Sequence, residues 1–187
     1  MSGIFGMNIK MAIYGESHGK SIGVVLDGLP PGLALDEAAI AAEMARRAPG
    51  QNALSTARKE SDTVEIQSGF FNGFTTGTPL CARIVNSDQH SKDYSILADK
   101  MRPGHADYAG HVRYQGFNDY RGGGHFSGRL TAPLVFAGAV AKQALAQYGI
   151  IVGSHILQIN DIKEERFNPM GESDAELAEL NTKKFAA

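Results

Sequence analysis

Two histidines in this chain sit on glycine-flanked turns, and several arginines lie in or beside glycine-containing, irregular segments. Those residue types support proton transfer and anion binding. His18 lies in Gly15-Glu16-Ser17-His18-Gly19, and an imidazole is a natural proton donor near neutral pH. The pentapeptide also matches the G-x-S-x-G nucleophile elbow, which needs a helix directly after the serine. Here a β-branched run (SIGVVLD, 21–27) follows, so a serine hydrolase built on Ser17 and His18 fails its context. The plain alternative is a tight hairpin whose Ser17 and His18 satisfy backbone groups. His105 stands in Arg102-Pro103-Gly104-His105-Ala106-Asp107. Pro103 and Gly104 set a turn that aims the imidazole, and Asp107 could cap the helix after it, although a lone histidine is more often structural. No metal site is expected, because the histidines at 18, 90, 105, 111, 125 and 155 show no H-x-x-x-H spacing and no cysteine pairing.

Arg46 and Arg47 end a helix, where cations suit the dipole. Arg58, Arg102, Arg121 and Arg129 are different, each lying beside irregular backbone. A guanidinium fork matches carboxylate and phosphate oxygens, and irregular backbone offers amide donors to the same anion. A solvated face explains any one of them, whereas the set favours an anionic ligand. The segment Arg121-Gly122-Gly123-Gly124-His125-Phe126-Ser127-Gly128-Arg129 leads into an apolar helix. Glycines ahead of a helix N-terminus suit an anion or cofactor phosphate, with Ser127 as a hydroxyl donor. The pattern is neither G-x-G-x-x-G nor G-x-x-x-x-G-K-[ST], so neither a Rossmann site nor a P-loop is supported. Residue chemistry alone ends at an α+β domain that binds a multiply anionic small molecule, with two histidines at hand.

The elements that must position these groups read β-β-α-β-β-α-α-β. Strands are expected at 7–14, 21–27, 63–71, 80–86 and 150–159, from β-branched content and turn punctuation. Helices are expected at 37–47, with Asp36 as N-cap and Pro49-Gly50 as the stop, and at 108–115, 130–148 and 174–180. The 130–148 segment is apolar nearly all round and should be buried, while 51–61 reads as an exposed loop. This order implies an α+β fold with an antiparallel sheet and helices on one face rather than βαβ units. Residues 1–160 form the main unit and 161–187 a polar tail. The 187 residues can bury a sizeable core, and 43% hydrophobic with 20% charged residues excludes general disorder. A net charge of −2 argues against a nucleic-acid binder. No apolar run reaches the roughly 20 residues of a membrane span, the N-terminus lacks the features of a secretory signal, and the lone Cys81 fits a reducing cytoplasm. Glycine is over-represented, with 22 residues against a usual share of about 7%.

Taken in order, several stretches resemble chorismate synthase: Gly15-Glu16-Ser17-His18-Gly19 with Asp27-Gly28-Leu29-Pro30-Pro31-Gly32; Arg47-Ala48-Pro49-Gly50; Ser68-Gly69 through Thr75-Thr76-Gly77-Thr78-Pro79; Asn86-Ser87-Asp88; Arg102-Pro103-Gly104-His105-Ala106-Asp107; and Asp119-Tyr120-Arg121-Gly122-Gly123-Gly124. The resemblance implies half of a fold in which a helix layer lies between two sheets. It also implies a 1,4-trans elimination of phosphate from 5-enolpyruvylshikimate 3-phosphate (EPSP), with reduced FMN as cofactor, NADP as an associated nucleotide and a cytoplasmic homotetramer. By resemblance, His18 protonates the departing phosphate and His105 sits by the flavin. Ser17, Arg47, Arg58, Arg102 and Arg129 hold the substrate, and Ser127 with His105 contacts FMN. The family's Arg-Ser-Ser-Ala-Arg-Glu-Thr is here His125-Phe126-Ser127-Gly128-Arg129-Leu130-Thr131, so contacts at 125 and 126 do not carry over. A whole family member is about twice as long, so the resemblance is to the N-terminal half, without the aspartate that assists proton removal. An inactive anion- or flavin-binding module is the alternative reading.

Overall fold

The β-branched run Ser21–Asp27 forms a strand with a fully alternating partner, and the rest of the main sheet assembles around that pair. A computed structural model describes residues 3–48, 62–87, 94 and 97–182. Five strands, β1 (Ile4–Phe5), β2 (Lys10–Gly15), β3 (Ser21–Asp27), β4 (Val64–Ser68) and β7 (Leu80–Val85), lie in the order β1-β2-β3-β7-β4. Every neighbouring pair is antiparallel. Ile22, Val24 and Leu26 of β3 stand opposite Ile84, Ala82 and Leu80 of β7, and all six are buried. Side chains opposite each other share a face, so this register puts one continuous apolar face inward. The other face carries Tyr14, Val25, Cys81 and an Arg83–Glu65 ion pair, all half-buried.

Helices cover the apolar face. Helix α1 (Glu37–Arg47) begins where Asp36 accepts a hydrogen bond from Ala39 N at 3.0 Å, an N-cap contact that contributes about 1 kcal/mol. Ile40 and Met44 of α1, Val64 and Ile66 of β4, and Phe136 of helix α3 (Thr131–Ala146) line one shared apolar cavity. Phe136 and Val140 are fully buried, and each contributes about 1.5–3 kcal/mol by leaving water. Helix α3 is not enclosed all round, because Thr131, Leu134, Gly138 and Ala141 form an exposed stripe at helical spacing.

The fold class, α+β with an antiparallel sheet and helices on one face, is the one expected. Individual elements differ. The strand expected at 63–71 stops at Ser68, because Gly69 turns the chain at φ 78° and its Cα lies so near Leu80 that a Cβ would stand 2.5 Å from the Leu80 Cα. The chain then makes a separate hairpin of β5 (Phe70–Phe71) and β6 (Phe74–Thr75). Helix α2 (Asp107–Arg113) matches the short helix expected there. The Pro49-Gly50 stop and the 51–61 loop lie outside the described residues.

Two compact units divide between Val140 and Ala141. The second holds the end of α3, a hairpin of β8 (Gln158–Ile159) and β9 (Ile162–Lys163), and helix α4 (Asp174–Thr182). The strand expected at 150–159 is present only as Gln158–Ile159; residues 150–157 join no strand, and Ile150, Ile151 and Val152 are 38–49% exposed. A β-branched run becomes a strand only beside a partner that takes up its backbone groups. α4 starts with a capping box: Glu176 N donates to Ser173 Oγ at 3.3 Å, and Ser173 N donates to Glu176 Oε2 at 2.8 Å. No helix among the described residues is long and apolar enough to cross a membrane.

Candidate functional site

Three loops at the ends of β2, α2 and α3 meet over consecutive glycines. The turn between β2 and β3 carries Ser17 and His18, 1% and 5% exposed. A strand, β3, follows it at Ser21, so the hydrolase elbow has no helix to stand on. Ser17 N donates to Gly124 O at 3.1 Å, and His125 Nδ1 donates to Gly15 O at 2.9 Å. Both bonds fasten that turn to the triple glycine. The His18 ring also meets Tyr94 edge-on, with centroids 4.8 Å apart.

Gly122, Gly123 and Gly124 adopt φ values of 57°, 84° and 55°, a region that L side chains avoid. A Cβ on Gly122 would overlap the His18 ring, and one on Gly123 would stand 2.5 Å from His105 Cε1 and 2.8 Å from its Nε2. A Cβ on Gly124 would overlap the Asp119 carbonyl. The glycines therefore let two imidazoles approach adjacent backbone positions. That close packing is what the three glycines permit.

Each cation nearby has a carboxylate. Arg102 donates to Asp107 through Nε at 2.8 Å, Nη2 at 3.0 Å and its backbone N–H at 3.1 Å. Those bonds hold the Asp107 carboxyl far below the usual carboxylate range, against the opposing effect of burial. His105 Nδ1 lies 2.7 Å from Asp107 Oδ1, an arrangement that leaves Nε2 as the ring nitrogen toward Gly123. The expectation that Asp107 caps α2 is corrected: it is the first helical residue, and Ala106 stands at the cap with no side-chain bond. The carboxylate is engaged by Arg102 instead. Arg121 makes a two-pronged pair with Asp119, at 2.9 and 2.7 Å, and lowers the Asp119 pKa chiefly through those bonds.

Arg129 is 5% exposed. Its Nη1 donates to Asp62, which also accepts from Arg47 Nη1, and its Nε donates to Asn86 Oδ1 at 3.1 Å. Asn86 Nδ2 donates in turn to the carbonyls of Glu16 and Gly19, at 3.0 and 2.8 Å. Ser127 Oγ accepts from Arg129 N at 3.3 Å. Ser17, His18, Arg47, Arg102, His105, Ser127 and Arg129 are thus tied into one region of the first unit, while Arg58 lies outside the described residues. Sequence reasoning gave no role to Asp62, Asn86 or Asp119. Asp119 had a usable signal in its spacing to Arg121, whereas nothing local marks Asp62 as buried.

A family model described as chorismate synthase matches residues 9–186. Relatives of that name are 48% identical over 87% of this chain in Cytophaga hutchinsonii, 47% over 95% in Aliarcobacter butzleri and 43% over 98% in Methanosarcina barkeri. A solved structure titled "Crystal Structure of Chorismate Synthase" is similar, with TM-score 0.60 and 30% identity over 84% of this chain. This chain spans 45%, 49% and 53% of those three relatives' own lengths, and 40% of the solved chain.

Proposed function

The chain belongs to the chorismate synthase family, and from that premise we propose that it carries the anion-binding and proton-donating part of a site that eliminates phosphate from EPSP to give chorismate. The observation that carries this reading is the pairing of His18 and His105 on adjacent glycines of one loop, with Arg102 beside the second. EPSP bears one phosphate and two carboxylates, and Arg47, Arg102 and Arg129 supply fixed cations for them, with Ser17 as a hydroxyl partner. Arg58 belongs to the same substrate set. His18 gives an imidazole proton to the phosphate oxygen as the carbon–oxygen bond breaks. Its burial excludes water and keeps that proton for the leaving group. His105, with Nδ1 2.7 Å from Asp107 Oδ1, presents its other nitrogen to the loop.

FMN fits the donor set of this region. Ser127 Oγ accepts from Arg129 N and keeps its own O–H to donate to a phosphate or carbonyl oxygen, and the His105 side chain is 30% exposed. Ser127 and His105 would hold the flavin, which in reduced form supplies electron density that eases carbon–oxygen cleavage with no net redox change. Residues 1–160 would form the first half of this catalytic unit, and 161–187 would lead toward the rest. The whole protein would be a cytoplasmic homotetramer. The share of its relatives that this chain spans favours a second reading of the chain by itself, a binding module without turnover.

Titrating EPSP and FMN into wild type and Arg129→Lys tests the assignment. A lysine cannot reach both Asp62 and Asn86, and a point charge does not replace a fork. The expected loss in EPSP binding is about 1.5–3 kcal/mol, the range for hydrogen bonds to charged groups, with a much smaller change for FMN. Equal loss for both ligands, or none for either, would sink the assignment of Arg129 to the substrate.

A further inference from the structure

Two of the arginines assigned to the substrate, Arg47 and Arg129, converge on one carboxylate. Asp62 is 2% exposed and stands at φ 49°, two residues before β4. Left-handed backbone is uncommon outside glycine, although Asp and Asn tolerate it. At this position it brings one carboxylate oxygen to Nη1 of Arg47 and the other to Nη1 of Arg129. Arg47 Nη2 also reaches Gly128 O at 3.5 Å, next to Arg129 in sequence. From Arg129 the chain of bonds continues through Asn86 to the carbonyls of Glu16 and Gly19, which bracket Ser17 and His18. A single path thus runs from Arg47 through Asp62, Arg129 and Asn86 to the turn that carries the proton donor.

We propose that Asp62 is a positioning residue. It fixes the two guanidinium groups at one spacing for the anionic substrate and, through Asn86, sets that pair in register with His18. The proposal rests on the functional reading above in one respect, that Arg47 and Arg129 meet the substrate's anions. A positioning role and a plain counter-ion role differ in sign. Removing a negative charge from beside two cations tightens the binding of an incoming anion by Coulomb attraction. Losing the arrangement of the cations weakens it.

Calorimetric titration of inorganic phosphate into the 187-residue chain reads that sign, with Asp62→Asn, Asp62→Glu and Asn86→Ala beside wild type. Asparagine suits the left-handed backbone as aspartate does, so Asp62→Asn removes charge without adding strain. The expected result is about tenfold weaker phosphate binding in Asp62→Asn, the equivalent of one net hydrogen bond, with partial recovery in Asp62→Glu. The His18 ring signals in the NMR spectrum should shift in both Asp62→Asn and Asn86→Ala. A folded Asp62→Asn that binds phosphate as tightly as wild type, or more tightly, overturns the proposal and leaves the anion-site reading standing. If Asp62→Asn fails to fold, Asn86→Ala decides, since it keeps both ion pairs. Weaker phosphate binding with shifted His18 signals then supports the proposal, and unchanged binding overturns it. A wild-type chain with no affinity for phosphate removes the anion-site reading and the proposal together.

Discussion

Asp107 accepts three hydrogen bonds from Arg102 and lies 2.7 Å from His105 Nδ1, so one buried carboxylate holds a member of the anion set and lies against a member of the histidine pair. Its folded pKa lies well below the usual carboxylate value. A depressed carboxylate pKa contributes stability that is present above the unfolded value of about 3.9 and lost as pH falls toward the folded value. We therefore expect wild-type stability to decline as pH drops below about 4, and Asp107→Asn to lose part of that acid slope. Urea unfolding at a series of acidic pH values measures it, and equal slopes in the two proteins would show that Asp107 contributes nothing there. His18 makes a different prediction, because the proton-donor role proposed for it acts on the reacting oxygen and not on stability. In a full-length relative, such as the one from Cytophaga hutchinsonii, alanine at the matching histidine should lower turnover about 10²–10⁴-fold with little loss of EPSP affinity. Normal turnover with poor affinity would make His18 a binding residue only.

At the scale of elements, the loop Arg121–Phe126 does the work of position, since three consecutive positive-φ glycines bring the turn after β2 and the segment before α2 onto one backbone stretch. Gly123→Ala should cost about 1–2 kcal/mol in left-handed strain and also push the His105 ring aside. In thermal melts and NMR spectra, a variant with unchanged melting temperature and unchanged His105 signals would refute that packing role. Much of this architecture was legible in the residues. The β-branched run 21–27 marked β3, Asp36 marked the start of α1, and the glycine-flanked motifs located His18, His105 and Arg129. What the residues hid was non-local. The exposed stripe on α3 and the run at 150–157 that joins no strand depend on which neighbours exist, not on their own apolar content. Asp62 is an acidic residue in a polar stretch, and only the fold brings Arg47 and Arg129 to it across 15 and 67 positions of sequence.

At the scale of the whole molecule, the first unit holds every described candidate residue, yet the chain covers only 45% of its Cytophaga hutchinsonii relative. Ground-state affinity and turnover make different demands on such a piece. Anion affinity draws on cations that this unit already fixes through Asp62, Asp107 and Asn86, so EPSP should bind. Elimination needs more: a proton must also leave the substrate carbon, and by resemblance the aspartate that assists in that removal has no counterpart among these 187 residues. Reacting groups must also be held within about 1 Å of productive geometry, where a misplacement alone can cost about a hundredfold in rate. The expected outcome is that this chain, given reduced FMN and EPSP without oxygen, binds EPSP but forms chorismate at least about a hundredfold more slowly than a full-length relative. Chorismate absorbance follows the reaction directly. Turnover equal to that of the full-length enzyme would mean that these 187 residues contain the whole of the chemistry, the proton acceptor included, and His105 beside Gly123 would be the first group to examine for that role.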